Sequence, residues 1–264
     1  MHVQTVLLCG GKGTRLGEVT GNAMPKPMVQ IGGRPIMWHI MKQFGAVGFT
    51  RFVICAGHLS WSIKEYFLNY HAQLADMTIS TAANSPVRFH DFGSVEDWTV
   101  TVAETGEDTM TAGRVKRIAK YIDGEDFLLT YGDGVSDVDL KALVTFHKAH
   151  GKMMTVTGVL PPGRFGELTI EGDRISEMNE KPMASDRYIN GGFMVLKSSF
   201  IDAFLSGDVD DVMLEREPMQ EASEAGEIML FRHNGFWQCM DTLRDWNNLN
   251  GLWSDGSAPW SHNW

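Results

Sequence analysis

The chain has 264 residues, 43% hydrophobic and 21% charged, with 23 Lys and Arg against 33 Asp and Glu for a formal net charge of −10. Length and composition describe a globular protein with a sizeable core and exclude a disordered chain. The acidic balance excludes a general nucleic-acid or anionic-membrane binder, whose affinity comes from a basic face, so any phosphate handled here must meet a local cluster of donors.

The longest uninterrupted apolar run, residues 52–56, falls far short of the ~20 needed to cross a bilayer. The first residues lack the basic and apolar regions of a signal peptide. Cys9, Cys55 and Cys239 are widely spaced and form no C-x-x-C pair, so neither a disulfide framework nor a thiolate zinc site is expected, and a reducing cytoplasm is the default.

In chain order, residues 3–8 predict a buried strand, followed by a Gly-rich turn over 10–17. Residues 36–44 predict a helix, 51–56 a strand and 60–70 a helix, with Ser62 and Glu65 spaced as a capping box. Strands are expected at 77–81 and 98–103 around a polar loop, then a short helix at 112–121 and a strand at 127–131. Residues 137–150 predict an amphipathic helix stopped by Gly151. The second half is richer in strands, at 153–159, 167–171, 174–178, 192–196 and 228–232, with helices at 211–225 and 242–252. Apolar strands alternating with helices indicate an α/β fold, a Rossmann-like three-layer α/β/α arrangement around a mixed, mostly parallel sheet. No repeat or linker interrupts it, so 1–264 reads as one domain with 235–264 as a C-terminal extension.

The segment Leu8-Cys9-Gly10-Gly11-Lys12-Gly13-Thr14-Arg15 directly follows the first strand. Glycines let the backbone approach a ligand, and successive N–H groups form an anion-binding nest, here beside two basic side chains. A Walker A loop needs Gly-Lys-Ser/Thr and the dinucleotide fingerprint needs Gly where Leu16 stands, so neither matches. In Met24-Pro25-Lys26-Pro27, two prolines stiffen the backbone and can aim the Lys26 ammonium; a solvated lysine in a rigid loop is the bland alternative. Tyr131-Gly132-Asp133-Gly134 ends an apolar strand at the edge where α/β folds place ligands. Asp133 can meet a hard cation such as Mg²⁺ there, with Asp241 as the second carboxylate unless it only caps the helix at Thr242. Asp137 and Asp139 match the D-x-D of metal-dependent glycosyltransferases, but read better as acids at a helix start. His147 and His150 read as structural, and the methionines as core filler.

Together these segments resemble the sugar nucleotidyltransferase family over essentially the whole chain. Besides the Gly-rich loop and Pro-Lys-Pro, the resemblance is carried by residues 31–41, Thr111–Arg117, 131–135, 161–166, 180–182, 189–193 and the run Phe236-Trp237-Gln238-Cys239-Met240-Asp241-Thr242-Leu243-Arg244-Asp245. That last run is similar to the branch that joins CTP to glucose 1-phosphate. The resemblance implies that Leu8, Cys9, Gly10, Gly11, Lys12, Gly13, Thr14, Arg15 and Lys26 hold the triphosphate. It places Thr109 and Arg114 at the cytosine, Gly132 by the nucleotide, and Asp133 and Asp241 on Mg²⁺. Gly166, Glu180, Lys181, Asn190 and Gly191 correspond to the sugar-phosphate pocket, and Arg15, Lys26 and Asp133 carry the catalytic step. Departures from the family pattern are Cys9 for Ala, Cys239 for Pro and His58 for Tyr; none removes a charged group. Implied partners are CTP and glucose 1-phosphate, with no nucleic acid or membrane, and a homo-oligomer (trimer or hexamer) to which the tail and the 82–97 loop are candidates to contribute. Alternatives are a thymidylyl- or uridylyltransferase, a glycosyltransferase using Asp137 and Asp139, and an inactive sugar-nucleotide sensor.

Overall fold

In the computed structural model, described at residues 3–13, 16–17, 21, 23–82, 85–91, 93, 95–160, 167–171, 174–179, 188–262 and 264, the apolar runs of the sequence become a seven-stranded sheet. Its strands are β1 (Gln4–Leu8), β2 (Arg51–Ala56), β3 (Thr99–Glu104), β4 (Asp126–Tyr131), β5 (Met154–Val159), β6 (Ile189–Lys197) and β7 (Ile228–His233), in the order β7-β5-β6-β4-β1-β2-β3. β1 runs parallel to β2 and β4, as does β2 to β3 and β5 to β7. β6 is antiparallel to both its neighbours, β4 and β5. The sheet is mixed and mostly parallel, as the sequence predicts.

Successive side chains of a strand point to opposite faces, and here both faces are covered. Leu7, Ile54 and Leu128 join one apolar cluster; Val6, Leu8, Val53, Cys55 and Leu129 join the other. The first face is covered by α1 (Ile36–Ala46) and α2 (Ser60–Leu68), the second by α3 (Thr111–Arg117). α4 (Leu140–His150) returns to the first face, α5 (Ser199–Phe204) and α6 (Glu217–Glu224) to the second, and α7 (Leu243–Ser254) to the first. Each fully buried Leu, Ile or Phe contributes ~2 kcal/mol through removal of apolar surface from water. Among the described residues, no helix is long and apolar enough to cross a membrane.

Several local expectations change. The strand expected at 77–81 is Asp76–Thr78 and stands outside the main sheet, pairing with Arg88–His90 in a two-stranded ribbon inside the expected loop. The helix expected over 211–225 is only α6, because Pro218 cannot extend a helix backwards and instead sits in its first turn. α5 was not anticipated. The capping box at Ser62 and Glu65 is not formed: α2 begins at Ser60 after a left-handed Leu59. The box lies at α7 instead, where the Thr242 hydroxyl accepts from the Asp245 N–H and the Asp245 carboxylate accepts from the Thr242 N–H. Asp139 is the N-cap of α4, its carboxylate accepting from the Ala142 N–H at 2.9 Å, which bears out the capping reading of that acid. The tail packs inward on α1, with Trp260 2% exposed against His39.

Candidate active site

Parallel pairing puts Leu8 level with Cys55 on one side and Tyr131 on the other, so the carboxyl ends of β1, β2 and β4 open at one edge. The Gly-rich turn leaves from that edge, pinned by Cys9 N–H to Cys55 O at 3.0 Å, Gly132 N–H to Leu8 O at 3.1 Å and His58 N–H to Gly10 O at 3.2 Å. Below it lies a cavity of about 250 Å³ lined by Leu8, Cys9, Gly11, Gly13, Lys26, Pro27, Gly132, Asp133 and Asp241. All but Pro27 are residues expected to bind nucleotide or metal.

Lys26 begins a single 3-10 turn (Lys26–Met28) entered from an extended Pro25. Its side chain is 12% exposed, and its Nζ donates to Asp133 Oδ2 at 2.6 Å and to Asp241 Oδ1. Burial disfavours its charge, but the two carboxylates outweigh burial and hold the ammonium above the ordinary lysine range. The carboxylates meet because Gly134–Ser136 pairs antiparallel with Trp237–Cys239, and Met240 N–H donates to Asp133 O at 2.8 Å. Asp241 thus faces the cavity, while its N–H is held by Asp245 Oδ2 at 3.1 Å. Two hard oxygen donors converging from different parts of the chain, with room beside them, fit Mg²⁺, which usually takes one or two protein carboxylates and completes its shell with water and phosphate oxygens.

Cysteine at position 9 is a packing residue. Burial, Cys55 and Asp133 drive its thiol well above its usual range, so it carries no thiolate chemistry. A Cβ on Gly132 would meet Cys9 Sγ at 2.6 Å, so the larger residue at position 9 demands glycine opposite. The Cys239 thiol is likewise pushed up, to about 11, first by burial and then by Asp241.

Arg114, expected at the base, is 4% exposed and lies behind the Gly-rich loop. Its Nη1 donates to Thr105 Oγ1 and Gly106 O at 2.8 Å and to Ala56 O at 3.4 Å; its Nη2 donates to Gly10 O at 2.9 Å and Glu107 O at 3.3 Å. A Cβ on Gly10 would lie 2.0 Å from that guanidinium, so this glycine is needed for the loop to touch it. Thr109 is also buried, whereas Lys12 lies at the exposed rim in an ion pair with Asp108 at 2.7 Å. On the other flank Asn190 touches Tyr131, and Gly191 O accepts from Trp237 Nε1 at 2.7 Å. Thr14, Arg15, Gly166, Glu180 and Lys181 lie outside the described residues. Sequence reasoning passed over Tyr131 as a side chain and missed Glu215 entirely; Glu215 meets the site only through the fold and has no local motif.

A phosphate-approachable loop at the carboxyl edge of a mixed sheet, above one ammonium and two carboxylates, defines an enzyme that handles a nucleotide phosphate. The family model described as nucleotidyl transferase matches residues 4–255, and the chain belongs to that family. It is 50% identical over 259 residues to the glucose-1-phosphate cytidylyltransferases of Salmonella typhi and Salmonella typhimurium, covering 98% of this chain and 98% of each relative. Among solved structures, the inositol-1-phosphate CTP transferase of T. maritima superposes with a TM-score of 0.66 at 18% identity, over 99% of this chain and 97% of that one, a likeness of fold.

Proposed function

We propose that the chain transfers a cytidylyl group from CTP to glucose 1-phosphate, giving CDP-glucose and pyrophosphate. The observation that carries the reading is the Lys26 ammonium held between Asp133 and Asp241 beneath the Gly-rich loop, in a chain half identical over nearly its full length to enzymes of that name. A sugar-phosphate oxygen is largely ionised at pH 7, since the second phosphate pKa is about 6, so the nucleophile needs no general base. The new bond joins that oxygen to the α-phosphorus of CTP; the bond to the bridging oxygen breaks, and pyrophosphate leaves with the electron pair. Such transfers rest on placement and on neutralising charge that accumulates in the transition state.

Main-chain N–H groups of the turn after β1 orient the triphosphate, and Lys26 delivers its charge where the leaving phosphates gain theirs. Asp133 and Asp241 would hold Mg²⁺, which when bound supplies further neutralisation of phosphate oxygens. Arg114 acts on the base pocket through the Gly10, Gly106 and Glu107 carbonyls that it orients. Arg15, Glu180 and Lys181 belong to the same proposal by family resemblance, as do Gly166, Asn190 and Gly191 on the sugar side. The protein works as a homo-oligomer, for which the exposed side chains Trp61 and Leu68 of α2 and Met77, Ile79 and Val87 of the ribbon region offer apolar surface; light scattering tests this. Three free cysteines suit a reducing cytoplasm.

The test is a screen of nucleoside triphosphates with glucose 1-phosphate and Mg²⁺, read as pyrophosphate release. CTP is expected to lead. A lead for dTTP or UTP assigns the thymidylyl or uridylyl reaction instead, and release with none of them rejects the enzyme reading.

A further inference from the structure

Beyond the cavity, one carboxylate ties the nucleotide side of the site to the sugar side. Glu215 lies between α5 and α6, in a segment without any recognisable motif. Its Oε1 accepts from the Tyr131 hydroxyl and its Oε2 from the Thr111 hydroxyl at 2.7 Å. Thr111 opens α3, and its Oγ1 also accepts from the Leu214 N–H at 2.7 Å. Met110 N–H donates to Asp210 O at 2.6 Å and Ala112 N–H to Val212 O at 3.1 Å, so residues 210–215 form a strap across the start of α3. On the other side, the Tyr131 oxygen accepts from Asn190 Nδ2 at 3.2 Å, and Asn190 Oδ1 accepts from the Gly192 N–H at 2.9 Å.

Charge fixes the direction of this chain. An ionised carboxylate has lone pairs and no proton, so both hydroxyls must donate to Glu215. The Tyr131 hydroxyl has a single proton to donate, and the bond to Glu215 Oε1 uses it. With its one O–H donated to Glu215, the phenol offers Asn190 only lone pairs. Asn190 must therefore turn its NH₂ to Tyr131 and its carbonyl to Gly192. Its second N–H, without a partner among the described residues, is left to meet a ligand.

We propose that Glu215 is a positioning residue for the sugar phosphate: acting through Tyr131, it sets the orientation of the Asn190 amide, so that a sugar oxygen is met by an N–H donor. This rests on reading Asn190 as a sugar-phosphate contact.

The experiment measures glucose 1-phosphate and CTP binding separately by calorimetry, on the wild-type protein and on Glu215→Gln, Glu215→Asp, Tyr131→Phe and the Glu215→Gln/Tyr131→Phe pair. Glutamine keeps the shape but brings a donor. With that NH₂ on the phenol oxygen, the phenol proton is free to turn to Asn190 Oδ1, where it competes with the Gly192 N–H, so the amide loses its single favoured orientation. Glu215→Gln is expected to weaken glucose 1-phosphate binding by roughly tenfold or more, the order for one misplaced hydrogen bond to a charged or buried group, and to change CTP binding by less than about twofold. Glu215→Asp, which keeps an acceptor-only charge, retains most of the sugar-phosphate affinity. The double variant binds no more weakly than Tyr131→Phe alone, because Glu215 acts through the phenol.

Unchanged sugar-phosphate binding in Glu215→Gln, equal losses for both ligands, additive losses in the double variant, or no glucose 1-phosphate binding by the wild type would each overturn the proposal. A wild-type protein that binds glucose 1-phosphate but forms no CDP-glucose overturns the cytidylyl reading instead, and the calorimetric series still decides the role of Glu215.

Discussion

At the scale of single residues, Lys26 and Arg114 divide the work of positive charge in an acidic protein. Lys26 faces the cavity with two carboxylates on one ammonium, and Pro25 and Pro27 restrict the backbone that aims it. Lys26→Ala is expected to lower kcat by at least ~10²-fold, the scale for losing one preorganised charge donor, as measured by steady-state pyrophosphate release; a kcat within threefold of wild type would remove Lys26 from the reaction. Arg114 instead turns its fork on the main-chain carbonyls of Gly10, Ala56, Gly106 and Glu107, from three segments. A lysine there offers one point charge and cannot reach Gly10, Gly106 and Glu107 together. Arg114→Lys is therefore expected to lower the melting temperature and to weaken CTP binding more than glucose 1-phosphate binding. Lys26 was legible in the sequence from its flanking prolines and Arg114 only through the family resemblance; neither signal carried a direction, and only packing shows Arg114 turned inward.

At the scale of elements, the strand periodicities and the α4 caps were legible because they are local. Asp139 starts that helix, and Gly151, at a φ of 67°, ends it. What resisted reading depends on partners distant in sequence. Asp76–Thr78 has strand-forming residues but pairs only with Arg88–His90, and α6 is cut short by a proline whose effect is absolute while the flanking periodicity is not. The meeting of Asp133 with Asp241 also spans distant residues, but it was expected from the two motifs, and only its means belongs to the fold. Each lies just beyond one end of the ribbon formed by Gly134–Ser136 and Trp237–Cys239, and the ribbon register determines their meeting. If they share one Mg²⁺, Asp133→Asn and Asp241→Asn each raise the Mg²⁺ needed for half-maximal rate. The double variant then loses far less than both single losses combined, because the shared site is already broken. Additive losses with unchanged Mg²⁺ dependence would separate the two. The α7 capping box holds the Asp241 N–H as well as the helix, so Thr242→Ala is expected to cost about 1 kcal/mol in urea unfolding.

At the scale of the whole molecule, one buried imidazole is among the links that join the C-terminal region to the first half of the chain. His39 of α1 is fully buried; its Nε2 donates to Ile31 O at 2.9 Å, and its Nδ1 accepts from Trp260 Nε1 at 3.3 Å. Those partners assign a neutral ring with its proton on Nε2, packed edge-on to Trp38 and Trp253. Burial, aided by the Arg34 charge, outweighs the hydrogen bonds that favour protonation and pulls its pKa from 6.5 to about 4. Between those values the unfolded chain binds a proton that the folded chain refuses, so stability rises with pH through this window. The neutral-pH stability is complete above about pH 6.5 and is progressively lost as pH falls toward 4. At pH 5 the loss from this one group is ~2 kcal/mol, from 1.36 kcal/mol per pH unit over the 1.5 units below the unfolded value. His147 and His150, both lowered first by burial and both bonded to Thr155 Oγ1, add to the loss in the same direction. Urea unfolding of the wild type is therefore expected to show a lower midpoint at pH 5 than at pH 7. His39→Gln can donate to Ile31 and accept from Trp260 without titrating, so it is less stable than wild type at pH 7 but loses ~2 kcal/mol less between the two pH values. An equal loss in variant and wild type would mean that protonation of the unfolded His39 does not drive the acid sensitivity.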